Sequence, residues 1–164
     1  MKAITLYQPW ATLMAIGAKR IETRPRRWNH TGAVWIHAGY NTEEIEIAFE
    51  EPFRSVLKAA GIRGISDLPL GKILALANKT GCVESEYFQA LIDGDDTKLL
   101  GGRLVLPHPF TDQEYAFGNY APERFGYVTD SVRALRHPIP ATGHQSIWHW
   151  DPPNNWEELL LEKR

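Results

Sequence analysis

The segment from Lys72 to Val83 places the tightest constraint on what this chain can fold into. Ile73 to Ala77 is an unbroken run of small and branched apolar residues. An extended backbone here has no polar face to show to water and must be covered on both sides. The pattern predicts a central strand opened by Gly71, for which the rest of the chain has to supply neighbours.

The flanking sequence supplies them. Ala3 to Tyr7 reads as a short strand, and Pro9 fits the first position of a helix carrying Trp10, Leu13 and Met14 at helical spacing, capped by Gly17. Lys19 to Thr23 reads as extended. A loop from Pro25 to Gly32 then leads into a strand at Ala33 to Ala38, rich in β-branched and aromatic residues. Asn41 or Thr42 caps a helical stretch that Pro52 interrupts and Gly61 ends, one broken helix or two. Glu86 to Ile92 reads as a short helix stopped by Asp93-Gly94, and Gly101-Gly102 and Pro107-His108-Pro109 mark a loop-rich insertion. Thr111 to Glu114 has the form of a capping box opening a helix that ends near Gly118. Phe125 to Leu135 and Ser146 to Trp150 read as strands separated by a turn at Pro138 to Gly143, and 154–164 as a closing helix. Strands of uneven length with short helices between them predict an α+β fold on a small mixed β-barrel surrounded by helices.

With 164 residues, 43% hydrophobic and 23% charged, the chain has the size and balance of a single domain over 1–164, with an insertion at approximately 84–122. No run approaches the roughly twenty apolar residues of a membrane span, and the start before Gln8 is too short for a signal peptide. A cytoplasmic protein with no membrane partner is expected. The single Cys82 reads as a small hydrophobe. There is no CxxC or HExxH spacing, and His137, His144 and His149 lack a ligand spacing, so neither metal nor cofactor is expected.

A net charge of -2 argues against coating nucleic acid through bulk electrostatics, but the charge is segregated. From Lys19 to Arg27, five bases (Lys19, Arg20, Arg24, Arg26, Arg27) face one acid, Glu22. From Glu43 to Glu51 there are five glutamates and no base. Interleaved with Ile45, Ala48 and Phe49, the glutamates read as the solvated face of a helix. The basic run is broken by Pro25 and followed by Trp28, which does not read as a regular charged helix and offers a local anion-binding surface.

Three blocks, Gln8-Pro9-Trp10-Ala11, Gly17-Ala18-Lys19-Arg20-Ile21-Glu22-Thr23-Arg24 and Gly32-Ala33-Val34-Trp35-Ile36-His37-Ala38, are followed in order by Gly71-Lys72-Ile73, Gly81-Cys82-Val83, Phe125-Gly126-Tyr127-Val128, Pro138 to Gly143 and Ile147-Trp148. Together they resemble the ASCH family of the PUA-like superfamily, whose signature has the form G-x-K-x-x-E-x-R. The resemblance implies a PUA-like β-barrel with a cleft beside the motif, used in related domains to bind RNA or modified nucleobases. Some members are similar to ribonucleases, and a subgroup deacetylates N4-acetylcytidine, so the fold alone fixes no activity. In that subgroup a threonine nucleophile aligns with Glu22. A carboxylate does not do a hydroxyl's work, and the departure argues against the amidase.

Lys19 and Glu22 are the catalytic candidates. Three residues apart, they would face opposite sides of a regular strand, so both reach the cleft only if the chain bends past Gly17. There Lys19 offers charge to a phosphate or an oxyanion, and Glu22 accepts protons from a base edge or acts as general base. The plain alternative is a surface ion pair worth about 0 to 1 kcal/mol. Arg24, Arg26, Arg27, Trp28, His37 and Tyr40 are the ligand-binding candidates. Arg24, with its planar fork, suits a phosphate or a buried carboxylate. Trp28 is the tryptophan best placed to stack on a base, a contact worth about 1 to 3 kcal/mol, whereas Trp10 and Trp148 read as core. A lone histidine beside a sheet, such as His37, is more often a satisfied structural group; in a cleft it would serve a metal-independent ribonuclease with Lys19 and Tyr40. The leading reading is an RNA- or nucleotide-binding domain for single-stranded or modified bases. The alternatives are hydrolysis of RNA or of a modified nucleoside, and a protein-interaction module, the last favoured if the basic loop packs onto the body of the domain.

Overall fold

The computed structural model describes residues 1–95 and 106–162. Its strands are β1 (Lys2–Leu6), β2 (Ile21–Arg24), β3 (Gly32–Ala38), β4 (Lys72–Glu84), β5 (Phe125–Pro140) and β6 (Ile147–His149). They form one mixed sheet in the order β2-β5-β4-β3-β1-β6. The long apolar run is β4, inside the sheet as its composition requires, with Ile73, Leu74 and Ala75 buried in succession. β1 runs parallel to β3 and antiparallel to β6, while β2 is antiparallel to β5. The parallel pair needs a crossover, and the chain between β1 and β3 provides it with a helix. The helices among the described residues are α1 (Trp10–Ala15), α2 (Phe53–Ala59), α3 (Ser85–Asp93) and α4 (Asp112–Ala116). None is long and apolar enough to cross a membrane.

The described residues gather into two compact units, each built from separate stretches: 1–19, 33–78 and 131–162 in the first, 20–32, 79–95 and 106–130 in the second. The first unit is centred on Trp35, which is fully buried and clustered with Ala3, Ile73, Leu135 and Leu160. Trp150 and Trp156 meet its ring edge-on at 5.0 and 5.5 Å. Burying a side chain of this size contributes on the order of 5 kcal/mol. Gln8 is also fully buried here. Its side-chain oxygen accepts the Thr12 N–H at 3.1 Å and its amide donates to the Pro69 carbonyl at 2.8 Å, so it caps α1 and ties it to a loop.

The second unit packs Ile21, Phe88, Tyr120 and Val128 together. Gly126 is required at this contact, because a Cβ there would lie 2.5 Å from the Phe88 ring. The capping box at Thr111 is half formed. The Thr111 hydroxyl accepts the Glu114 N–H at 3.2 Å, but the Glu114 carboxylate does not return to cap its own helix. It accepts the backbone N–H groups of Arg20 at 2.8 Å and Ile21 at 3.1 Å, at the entry to β2.

Other expectations are corrected by the backbone. The predicted turn at Pro138 to Gly143 begins later, since β5 continues to Pro140. β2 pairs with Phe125 to Val128, so Pro138 and Pro140, both exposed, lie well past that pairing near the end of the strand. The closing helix is a single 3-10 turn, Trp156–Leu159. Beyond it Leu160 bridges to Leu135 and the Leu161 N–H donates to the Ala134 carbonyl, a pairing that a helix would forbid by turning those groups inward. The stretch interrupted by Pro52 is two elements, a 3-10 turn at Ile45–Phe49 and then α2, with Ile45 and Ala48 buried and Phe49 partly exposed. The glycine pair at Gly101-Gly102 lies outside the described residues.

Glu114→Ala removes the acceptor for two backbone donors at the start of β2, one of them buried. The expected cost is about 2–4 kcal/mol in a urea unfolding curve. Stability within error of wild type would contradict this role.

Candidate functional site

The chain does bend past α1. Gly17 adopts φ 77, and the N–H groups of Ala18 and Lys19 both reach the Leu13 carbonyl, at 2.9 and 3.1 Å. The Lys19 side chain is buried. It belongs to the first unit, with His37 and Tyr40, whereas Glu22, Arg24, Arg26, Arg27 and Trp28 belong to the second.

Along β2, Ile21 and Thr23 are buried while Glu22 and Arg24 occupy the opposite, half-exposed face. Arg24 Nε sits 2.9 Å from Glu22 Oε1. Thr23 faces away, as strand alternation requires, and serves as an anchor. Its hydroxyl accepts the Asn119 N–H at 3.1 Å and its carbonyl accepts from Arg124 at 3.1 Å.

The basic loop after β2 packs onto the second unit. At its centre is Lys79, a residue that sequence reasoning passed over, buried in the later half of β4. Its ammonium donates to the carbonyls of Trp28 at 2.8 Å and His30 at 2.7 Å. It also lies 5.3 Å from the centre of the Trp28 ring and 5.4 Å from that of Tyr127. Burial pulls the Lys79 pKa below the ordinary lysine range, and Cys82 nearby acts in the opposite direction. Trp28 stacks on His30 with ring centres 4.9 Å apart, meets Tyr127 edge-on, and directs its backbone N–H at the Cys82 sulfur. The Tyr127 hydroxyl donates to the Arg26 carbonyl at 2.5 Å. Cys82 is therefore half-buried and accepts a hydrogen bond, more than a small hydrophobe would do. Arg27 pairs with Glu84 at 2.8 Å and lies over the Phe125 ring, yet remains solvent-accessible, and Arg26 is exposed. The sequence signal for the clamp was a lysine within a predicted strand, between Asn78 and Thr80.

In the first unit His37 is fully buried. Its Nε2 lies 3.0 Å from the Ala141 carbonyl, which assigns the proton to Nε2. Nδ1 is buried without a partner, beside Gly143, where a Cβ would come within 2.6 Å of it. The ring meets Trp148 edge-on, and Trp148 donates to the Thr5 hydroxyl at 3.0 Å. Burial lowers the His37 pKa, the Ala141 carbonyl partly opposes this, and His144 lowers it further. Tyr40 is 72% exposed, its ring lying where a Cβ on Gly71 would be. No cluster of histidine, cysteine or carboxylates suited to a metal occurs among the described residues.

Lys79→Met strands two carbonyls and loosens the loop. The expected loss is about 1–3 kcal/mol of stability, with faster tryptic cleavage after Arg26 and Arg27, and an unchanged cleavage rate would contradict the clamp. Because the folded protein disfavours a proton on His37, the unfolded chain binds that proton at higher pH, and stability falls as pH drops below 6.5. Thermal melting between neutral and mildly acidic pH should show this loss, and His37→Gln should flatten it. An identical profile in the variant would rule the assignment out.

The matching family model is the ASCH domain, over residues 4–133. Activating signal cointegrator 1 of Mus musculus is 29% identical over 87 residues, covering 52% of this chain and 15% of that protein. The Homo sapiens protein of the same name is 26% identical over the same length and shares. This chain thus matches only a small part of those relatives. The crystal structure of ASCH from Zymomonas mobilis aligns with a TM-score of 0.51 at 14% identity, covering 98% of this chain and 96% of that one. A tyrosine-to-phenylalanine mutant of that protein aligns at 0.50 with 14% identity, covering 96% and 94%. These structures support the α+β, PUA-like fold, and with the family model spanning most of its length the chain belongs to the ASCH family.

Proposed function

We propose that this protein binds single-stranded RNA or a nucleotide through the strand-loop surface of Arg24, Arg26 and Arg27. The observation that carries the reading is the clamped loop. A buried ammonium holds the Trp28 and His30 carbonyls, so the arginine backbone is fixed before any ligand arrives. Pre-organised guanidiniums lose less entropy on meeting phosphates than mobile ones would. RNA binding is also what the family resemblance implies. The Trp28 ring is already engaged by His30, Tyr127 and Lys79, so phosphate contacts carry more of this proposal than stacking at that residue.

The packing of the loop favours a second reading, a protein-interaction module whose basic platform meets an acidic partner. Hydrolysis would require Glu22 to exchange its Arg24 contact for a substrate proton.

The test is titration of a short single-stranded RNA at salt from about 50 to about 200 mM. Saturable binding at low salt is expected, and in Arg26→Ala/Arg27→Ala the log-log salt slope should be shallower by about 1.4, the share of two phosphate contacts. Absence of saturable binding, or an unchanged affinity when Arg24, Arg26 and Arg27 are all replaced by alanine, would reject the proposal in favour of the protein-interaction reading.

A further inference from the structure

The second unit contains a cavity of about 610 Å³, within the ~300–1,000 Å³ span of small-molecule sites. It lies between α3 and the loop that follows α4. Tyr115 and Tyr120 form an aromatic wall, their rings stacked at 5.4 Å and inclined by 13°. Ala90 and Pro122 add apolar surface. Besides the tyrosine hydroxyls, the polar side chains on the lining are Glu86, Gln89 and Asn119, and among the described residues no lysine or arginine lines it. Among those residues a phosphate would find a carboxylate and no counter-charge, so the cavity suits an uncharged planar ligand.

The polar groups narrow the class. Glu86 accepts the Glu123 N–H at 2.9 Å, its own backbone N–H, and the Ser85 hydroxyl at 3.2 Å, which leaves about one of its four lone-pair positions open. The Glu123 N–H, then its own backbone N–H and, to a smaller extent, Ser85 hold its carboxyl below the ordinary glutamate range, so it is an acceptor at neutral pH. Gln89 is committed on both ends, accepting from Tyr115 at 2.9 Å and donating to Asp93 at 3.0 Å. Asn119 spends its side-chain oxygen on the Ala121 N–H at 3.1 Å, which leaves its NH2 group to donate. One anionic acceptor and one amide donor beside stacked rings match an amine next to a ring nitrogen, as on cytosine or adenine. Uracil places a carbonyl where the amine would be, facing the carboxylate.

The cavity is also coupled to the motif strand. Asn119 on its lining is bonded to Thr23, the neighbour of Arg24. Arg124 braces the same junction, donating to the Asn119 and Thr23 carbonyls, each at 3.1 Å. We infer that this cavity is the base subsite of the RNA surface, taking one unstacked, amine-bearing nucleobase between Glu86, Asn119 and the Tyr115–Tyr120 wall. The inference rests on the RNA-binding reading for its ligand and assigns the specificity of that surface to residues outside the G-x-K-x-x-E-x-R motif.

The experiment titrates the full chain with cytidine and with uridine, which carry no phosphate, followed by NMR shifts of the 86–90 and 115–122 amides. Cytidine should saturate roughly tenfold more tightly than uridine, the discrimination of one good base contact. Glu86→Gln keeps an acceptor for the Glu123 N–H and should erase the preference. Ala121→Trp, at an exposed position on the lining, should block both nucleosides while leaving thermal melting unchanged. Equal affinities, binding that survives Ala121→Trp, or no saturable shift up to the solubility of the nucleosides would overturn the assignment. RNA binding that depends on the arginines while nucleosides fail to bind would sink the cavity and leave the RNA surface standing. Cytidine preference with RNA affinity indifferent to the arginines would sink the surface and leave the cavity as a nucleoside site.

Discussion

A lysine ammonium buried under a basic loop is the interaction on which this account depends. Lys79 pairs with no carboxylate among the described residues, and two main-chain carbonyls and two aromatic rings take the place of one. Removing an ammonium from water is costly unless its protons are matched, and here two charge-assisted hydrogen bonds and the ring faces do the matching. The arrangement fixes the loop from inside without committing a carboxylate to Lys79, while on its outer side Arg27 pairs with Glu84 and Arg26 is exposed.

The same logic recurs one strand away. Glu114 is spent on the backbone of β2, and Thr23 and Arg124 fasten that strand to the Gly118 to Pro122 loop. Glu22 and Arg24 are thus displayed on a strand whose backbone is fixed from behind. Their own contact, at 2.9 Å and partly solvated, contributes about 0 to 1 kcal/mol. The hidden partners contribute more to stability than this pair does.

Much of this was legible in the sequence. β4 followed from five consecutive apolar residues, and the bend after α1 from Gly17, because composition and glycine report local preferences directly. Alternation along β2 separated Thr23 from Glu22 and Arg24. What stayed hidden depends on partners far along the chain. Glu114 carries a capping-box spacing, and its diversion to residues more than ninety positions earlier has no local signal. Lys79 sits between Asn78 and Thr80 past the apolar run of β4, and nothing near it names Trp28 and His30 as acceptors. Pro138 and Pro140 read as a turn because proline marks turns locally, and that they end a sixteen-residue strand depends on pairing that begins at Phe125. The burial of His37 likewise depends on distant elements, since both faces of β3 are covered.

The most direct test of the central claim is to follow the side-chain Nε–H resonances of Arg24, Arg26 and Arg27 by NMR as single-stranded RNA is added. The account requires these signals to shift and saturate together while the Lys79 ammonium keeps its resonance, since the loop is already fixed. Saturating shifts elsewhere with these arginines unmoved, or a Lys79 signal that reorganises on binding, would contradict it.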